Sequence, residues 1–407
     1  MIKSRLVVLK FISDTILQQF SFSGTYGNLK LNYLLPLAII CISFSCQEKN
    51  TGQDSQVIGY LVDTVTIDSK ERILNLNGWM MTSDLDDEKA SFFLYNYFDN
   101  SIDEINLDQK VFVKTIPLET EGPNGVGEFL FGIQWLNDSI IFTKSYTIST
   151  LIDRNGQVLN RIDWESAKDS NGVQLEQLPR KYEVVSGTED LKVLGLNVDM
   201  KNRKVLLDVL SVDASKVKRF DVDPEKSYHD FFFRFDDNLN ILDPGVYLNS
   251  DINYIQISHE FSNEILLFNT DGEFMKVVHY EPQLTPKRAD TPEGPEFKSK
   301  DQIKKDFQHI LEQVRFRPPV WDEVKKRYFR VSSQRIFEEK SEGDRAMTSK
   351  TKDIKVFLSV FDAEFNLISE MEIGELNDDR FKYFAKDGKL WVCQNFSDQL
   401  GFLVFEL

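Results

Sequence analysis

The chain reads as a succession of short apolar and aromatic runs set apart by Asp, Asn and Gly, and long helical periodicity is nearly absent. One pattern recurs: a strand-like run, an Asp or Asn, two or three turn residues, then a second run. It occurs as EINLDQKVFVKTI, TLIDRNGQVLNRI, LSVDASKVKRFDV, LLFNTDGEFMKVV and SVFDAEFNLISEM. Aligned on Asn106, Asp153, Asp213, Asn269 and Asp362, the copies lie 47, 60, 56 and 93 residues apart. Setting aside an inserted stretch over residues 281–313 shortens the last interval to about 60, the spacing of one four-stranded propeller blade per unit.

Two further strands precede the pattern in each unit. The second unit offers EFLFGIQWL and SIIFTKSYT, the fourth FFFRFDD and NYIQISHEF, and the first opens with ILNLNGWMM and SFFLYNYF. At the C-terminus FKYFAKD, KLWVCQNF and LGFLVFEL supply three strands and leave the last sheet one short. Near the N-terminus VIGYLVDTVTID is a strand without a partner, and placing it at the outside of the last blade closes the ring without a bare edge. The expectation is an all-β fold: a six-bladed β-propeller of four-stranded antiparallel blades over residues 57–407, with one small helical insertion. Two stacked β-sandwiches would also give many short strands, but explain neither the repeat nor the missing last strand.

The insertion has a different grammar. EPQLTPKRADTPEGPEF carries four prolines, and in the following SKDQIKKDFQHILEQV the apolar Ile303, Phe307, Ile310 and Val314 recur at helical spacing, with Ser299 as N-cap and Pro318 as terminator. This predicts a helix lying as a lid or plug on the propeller rim.

The N-terminal segment LKLNYLLPLAIICISFSCQEKN changes the picture of where the protein works. Its apolar run from Leu34 to Phe44 is too short to cross a hydrocarbon core as a helix, so residues 1–45 read as a signal segment, with a misassigned start codon explaining the extra basic stretch ahead of it. Small residues at Ser43 and Ser45 precede Cys46, and the pattern resembles a bacterial lipobox. Lipidation of Cys46 and a polar tether over residues 46–56 would anchor the chain to the cell envelope, at the outer membrane, with the facing side open.

The formal charge is −17, and without the basic signal segment it becomes −20, which disfavours nucleic acid as a partner. Of three cysteines, Cys41 goes with the signal and Cys46 takes lipid, leaving Cys393 as a buried structural thiol in KLWVCQNF.

The segment LETEGPNGVGEF, the run YFRV followed by VFDAEFNLISEMEI, and a lipobox at the head of a chain of this length resemble an uncharacterised lipoprotein family of the Bacteroidetes, a domain of unknown function of the TolB-like six-bladed propeller type. The resemblance covers nearly all of the mature chain. It implies location and fold and carries no activity with it.

Candidate chemistry is sparse. Gly122, Gly125 and Gly127 in EGPNGVG have neither the order of a P-loop nor that of a dinucleotide-binding turn, and strand-like sequence follows them. The reading is a turn between blades one and two, bending toward the central channel, with Glu121, Asn124 and Glu128 as its polar contributors. Connectivity puts this loop, the insertion and the loop EEKSEGDRAMTSKTKD on one rim. Arg315, Arg317, Trp321, Arg330 and Arg335 stand out as a basic and aromatic set on an acidic chain, suited to an acidic group or to ion pairs between blades. His229, His259, His279 and His309 are scattered without metal spacing, the acidic runs near Asp84 and Asp236 lack the pattern of a calcium loop, and G-x-S-x-G is absent. No cofactor and no metal are expected. The reading this favours is a binding module for a protein, peptide or glycan; the alternative is an envelope hydrolase or lyase with groups converging on the channel from several blades.

Overall fold

The computed structural model describes residues 59–407, apart from 176–177, 180–181, 187–190, 200–201, 203, 214, 226, 232, 237–238, 243–244, 292–299 and 340–347. The signal segment, Cys46, the tether and Ser299 lie outside the described residues.

Six antiparallel sheets make six blades, five of four strands and one whose inner strand is split in two. From the channel outward, blade one runs Ser83–Leu85, Ser91–Asn96, Ser101–Asn106, Val111–Pro117, and blade two runs Gly132–Asn137, Ile140–Lys144, Ser149–Ile152, Val158–Arg161. Blade three is Tyr182–Ser186, Lys192–Asp199, Lys204–Ser211, Lys216–Asp221; blade four is Val246–Ser250, Ile255–His259, Ile265–Phe268, Phe274–Val278. Blade five splits its inner strand into Val314–Phe316 and Val320–Asp322, both paired to Arg327–Phe337, and continues through Thr351–Asp362 and Leu367–Glu372. Blade six takes Tyr383–Lys386, Lys389–Phe396 and Gln399–Glu406 from the C-terminus and completes itself with Leu61–Thr66, whose register runs from Leu61↔Glu406 to Thr66↔Gly401. The unpartnered N-terminal strand does close the ring.

The recurring Asp or Asn sits where the pattern put it, at the hairpin between third and fourth strands. Asp153 accepts the N–H groups of Asn155 and Gln157 at 2.8 and 2.9 Å, Asn269 those of Asp271 and Glu273, and Asp362 those of Glu364 and Asn366. A carboxylate or carboxamide one residue before the turn satisfies donors that no strand can reach, which is why the signature survives while the strands around it vary.

Middle strands are buried on both faces because each blade is sandwiched between two others. In blade one Phe92 and Leu94 join the cluster shared with blade six, whereas Phe93 and Tyr95 join the cluster shared with blade two. Comparable clusters fill the seams two–three (Phe142, Val193), three–four (Leu207, Ile257), four–five (Leu267, Phe361) and five–six (Val331, Val392). The core of the molecule is thus six interblade layers. Cys393 lies in the six–one layer, and burial pushes its thiol up to about 12, so it packs as a small hydrophobe.

Two first strands differ from expectation. Blade one begins at Ser83, while residues 73–82 form a connection with a short 3₁₀ turn at Asn77–Met80; the apolar side chains of that stretch line a neighbouring seam and a surface recess instead of a sheet. In blade four FFFRFDD is not the inner strand: Phe233–Asp236 pairs with Leu239–Leu242 as a separate ribbon, and Val246–Ser250 takes the channel position.

The predicted helix forms over Lys300–Leu311 but is shorter than the spacing implied: Val314, expected on its apolar face, opens the inner strand of blade five, so the helix stops at Leu311 and not at Pro318. Ile303 and Ile310 are buried, and Ile310 and Leu311 pack with Phe231, Phe261 and Ala289. Phe307 and Phe337 border that cluster, which makes the helix a cover over one rim at blades four and five.

Candidate functional site

Strand direction alternates within each blade, so every connection from an outer strand to the next inner strand leaves from one rim, together with every hairpin between second and third strands. We call this the upper rim. The lower rim carries the first-to-second and third-to-fourth hairpins, and Leu61 rises from it beside Glu406.

Side chains stitch the inner strands to one another. Gln134 of blade two bonds both backbone groups of Val185 in blade three, donating at 2.9 Å to its carbonyl and accepting its N–H at 2.7 Å. Asp84 of blade one accepts the Trp135 N–H at 2.8 Å, Lys382 donates to the Ser83 carbonyl at 2.9 Å, and Asn249 donates to the Pro319 carbonyl. Burial pushes the Asp84 carboxyl above the usual carboxylate range, against the opposing pull of Lys382.

At the upper mouth, between blades four, five and six, arginines gather around two buried acids. Arg315 donates to Glu260, its Nε at 2.7 Å, and stands 3.7 Å from Asp379. Arg335 also pairs with Asp379, and Arg380 lies 3.5 Å from it. Arg317 donates to the Tyr247 hydroxyl at 2.9 Å and to the Asp379 carbonyl. Burial opposes the Arg317 charge, but Tyr247, Glu260 and Asp379 outweigh it and hold the guanidinium above its ordinary value. Partial burial, with Arg335 and Arg315 alongside, draws Arg380 below its ordinary value despite Asp379. This mouth carries more guanidinium than carboxylate. At the lower mouth acids dominate: burial, with Asp86, Asp138 and Glu323 near, raises Asp87.

Three of the five blade-five residues singled out in the sequence, Arg315, Arg317 and Arg335, therefore meet at the upper mouth. Arg330 does not join them. It is 1% exposed, donates to the carbonyls of Arg317, Asn263, His259 and Ser262, and stacks on Phe316 at 4.8 Å. Trp321 is buried at the lower end of the split inner strand, against Tyr328. His259 is a core residue, stacked on Tyr228 at 4.3 Å, with burial holding it well below the ordinary histidine range.

The EGPNGVG loop leaves blade one on the upper rim but turns outward along blade two, not toward the channel. Asn124 donates to Gln157 at 2.9 Å and accepts the Val158 N–H, and Arg161 donates to the Pro123 carbonyl at 2.9 Å. Gly127 adopts φ 88° against Ser145, a conformation and a clearance that a side chain would not share. Glu121 and Glu128 are exposed.

Beyond this loop lies a set of residues that the sequence reading passed over. Tyr97, Phe98, Phe129, Phe131 and Tyr146 are all exposed on the upper rim of blades one and two, and Phe274 on the outer wall of blade four is the one other exposed aromatic among the described residues. Tyr97 and Phe98 sit in a hairpin at 4.3 Å from each other, and Phe131 faces Tyr146 at 6.3 Å. Three recesses open between these rings. The first, about 170 Å³, is lined by Asn75, Asn77, Thr82, Tyr97 and Phe129; the second, about 620 Å³, by Arg72, Asn77, Phe98, Asn395 and Asp398; the third, about 610 Å³, by Tyr146, Thr147, Arg161, Asp163 and Trp164. Met80 and Phe129, both on the first recess, hold positive φ of 56° and 53°, a costly conformation for bulky residues. The sequence signal was present in YNYFDNS, where two rings occupy turn positions that polar residues normally fill.

Comparison with known proteins places the fold. A family model described as a domain of unknown function, DUF4221, matches residues 56–372. The chain belongs to the DUF4221 family. The crystal structure of a DUF4221 member from Bacteroides vulgatus is 16% identical over 85% of this chain and 98% of its own, with a TM-score of 0.59. A protein from Bacteroides fragilis is 11% identical over 85% of this chain and 94% of its own, with a TM-score of 0.47. No curated protein matches. At 16% identity the likeness to the Bacteroides vulgatus protein carries the fold and nothing of a ligand.

Proposed function

We propose that this DUF4221 propeller is an envelope lipoprotein, held at the outer membrane by acyl chains on Cys46, that acts as a binding module for a protein, peptide or glycan through its upper rim. The observation that carries the reading is the division of labour between the rims. The chain reaches the propeller from the lower rim at Leu61, whereas the recesses, the exposed rings and the arginine mouth all lie on the upper one. Fourteen residues lie between Cys46 and Leu61, and an extended stretch of that length reaches about 50 Å. A tether of that reach, attached at the lower rim, leaves the upper rim clear of the point of attachment.

The test is fractionation of cells labelled with a palmitate analogue. The native chain is expected in the membrane fraction carrying label, and Cys46→Ala in the soluble fraction without it. Equal membrane retention of the unlabelled Cys46→Ala chain would contradict the anchor.

Asp84 favours a second reading, a hydrolase or lyase centred on the channel, because a carboxyl with a raised pKa beside Lys382 suits proton transfer. Turnover of envelope glycans or peptides that Asp84→Asn abolishes would establish it.

A further inference from the structure

The exposed rings and recesses of the upper rim form one continuous track, and we infer that its ligand is a neutral polysaccharide chain. The inference deepens the binding-module reading and rests on it. The first and second recesses share Asn77, which donates to the Tyr97 hydroxyl at 3.1 Å. Leu130 belongs to the first recess, and its neighbour Phe131 faces Tyr146 of the third. The track thus runs from the blade-six hairpin at Asn395 across blades one and two to the connection at Trp164.

Its chemistry alternates. Rings open to solvent by 41–63% stand between recesses whose linings mix aliphatic side chains with carboxamides, hydroxyls, carboxylates and the guanidiniums of Arg72 and Arg161. A sugar ring has the matching duality, with an apolar C–H face that lies on an aromatic ring and an equatorial belt of hydroxyls that exchange hydrogen bonds with amides and acids. Repetition of that unit suits a track with several ring positions. Exposed aromatic side chains gathered on one rim mark an interaction site.

Two other extended ligands fit less well. A peptide added as a strand needs an unpaired sheet edge, and the free edges among the described residues are the outer strands on the propeller wall and the ribbon of Phe233–Asp236 and Leu239–Leu242 between blades three and four, none of which lines the track. A polyanionic glycan meets a chain of charge −17. The guanidiniums within the track are already engaged, Arg72 by Asp99 and Asp103 and Arg161 by the Pro123 carbonyl, and the remaining cationic ground, the arginine mouth, lies apart from it.

Affinity electrophoresis of the folded mature protein through gels containing dextran, galactomannan, xyloglucan or, as the polyanion, heparin tests this. At least one neutral polysaccharide is expected to retard the native protein. Phe98→Ala and Phe129→Ala should each weaken retention by about three- to tenfold, the worth of one aromatic stacking contact, while Phe274→Ala leaves it unchanged. These side chains are exposed, so an unaltered melting temperature verifies the fold of each variant. Retention by none of the neutral polymers, retention by heparin alone, or equal loss in Phe274→Ala would overturn the inference. A protein crosslinked to the rim under those outcomes would leave the binding-module reading standing and discard the glycan.

Discussion

Arg330 shows how far a residue's role can lie from its composition. On an acidic chain an arginine in the second strand of blade five looks like a docking group, yet its guanidinium is closed over by four carbonyl oxygens of blade four and of the split inner strand. Truncation would leave those buried acceptors unpaired. Arg330→Met is therefore expected to cost about 3–5 kcal/mol, and Arg330→Lys to recover only part of it because an ammonium lacks the planar fork; urea unfolding of the two variants measures both. A cost under about 1 kcal/mol would mean that water satisfies the carbonyls in its place. Chemical type was legible at this scale and environment was not. Arg315 and Arg317 could be noticed by their charge, but Asp379 and Glu260, which organise them, come from remote turns. Phe98 and Phe129 read as more of the same aromatic load that builds the core, and only the fold separates the exposed rings from the buried ones.

Among elements, what the sequence announced most clearly was the hairpin between third and fourth strands, since its Asp or Asn answers a local demand for acceptors. Inner strands were the least legible. They are as short as three residues, and their apolar neighbours in ILNLNGWMM and FFFRFDD carry an equally good strand pattern while serving a connection and a side ribbon. The closing strand was legible because its absence from the C-terminal count required it. Its contribution can be measured. Deleting residues 59–67 removes buried Val65 and Ile67, each worth about 1.5–3 kcal/mol, and bares the edge of Gln399–Glu406. A lower melting temperature and growth of oligomers in light scattering are expected; a monomer of unchanged stability would show that the ring does not depend on this closure.

In the propeller as a whole, six interblade layers close a ring of blades whose two faces differ in kind. One face receives the chain, has an acidic mouth and is built of tight hairpins; the other bears the helix cover, the arginine mouth and the aromatic track. The repeat made the ring of blades foreseeable, and connectivity made the faces foreseeable, but the track depends on loops of blades six, one and two and their connections meeting in space. The division between the faces is most directly tested by photo-crosslinking in cells with a benzophenone amino acid placed at Phe98 or Phe129 on the upper rim, or at exposed Val324 on the lower. Adducts are expected from Phe98 and Phe129 and none from Val324. Adducts from Val324 alone, or from all three alike, would contradict it.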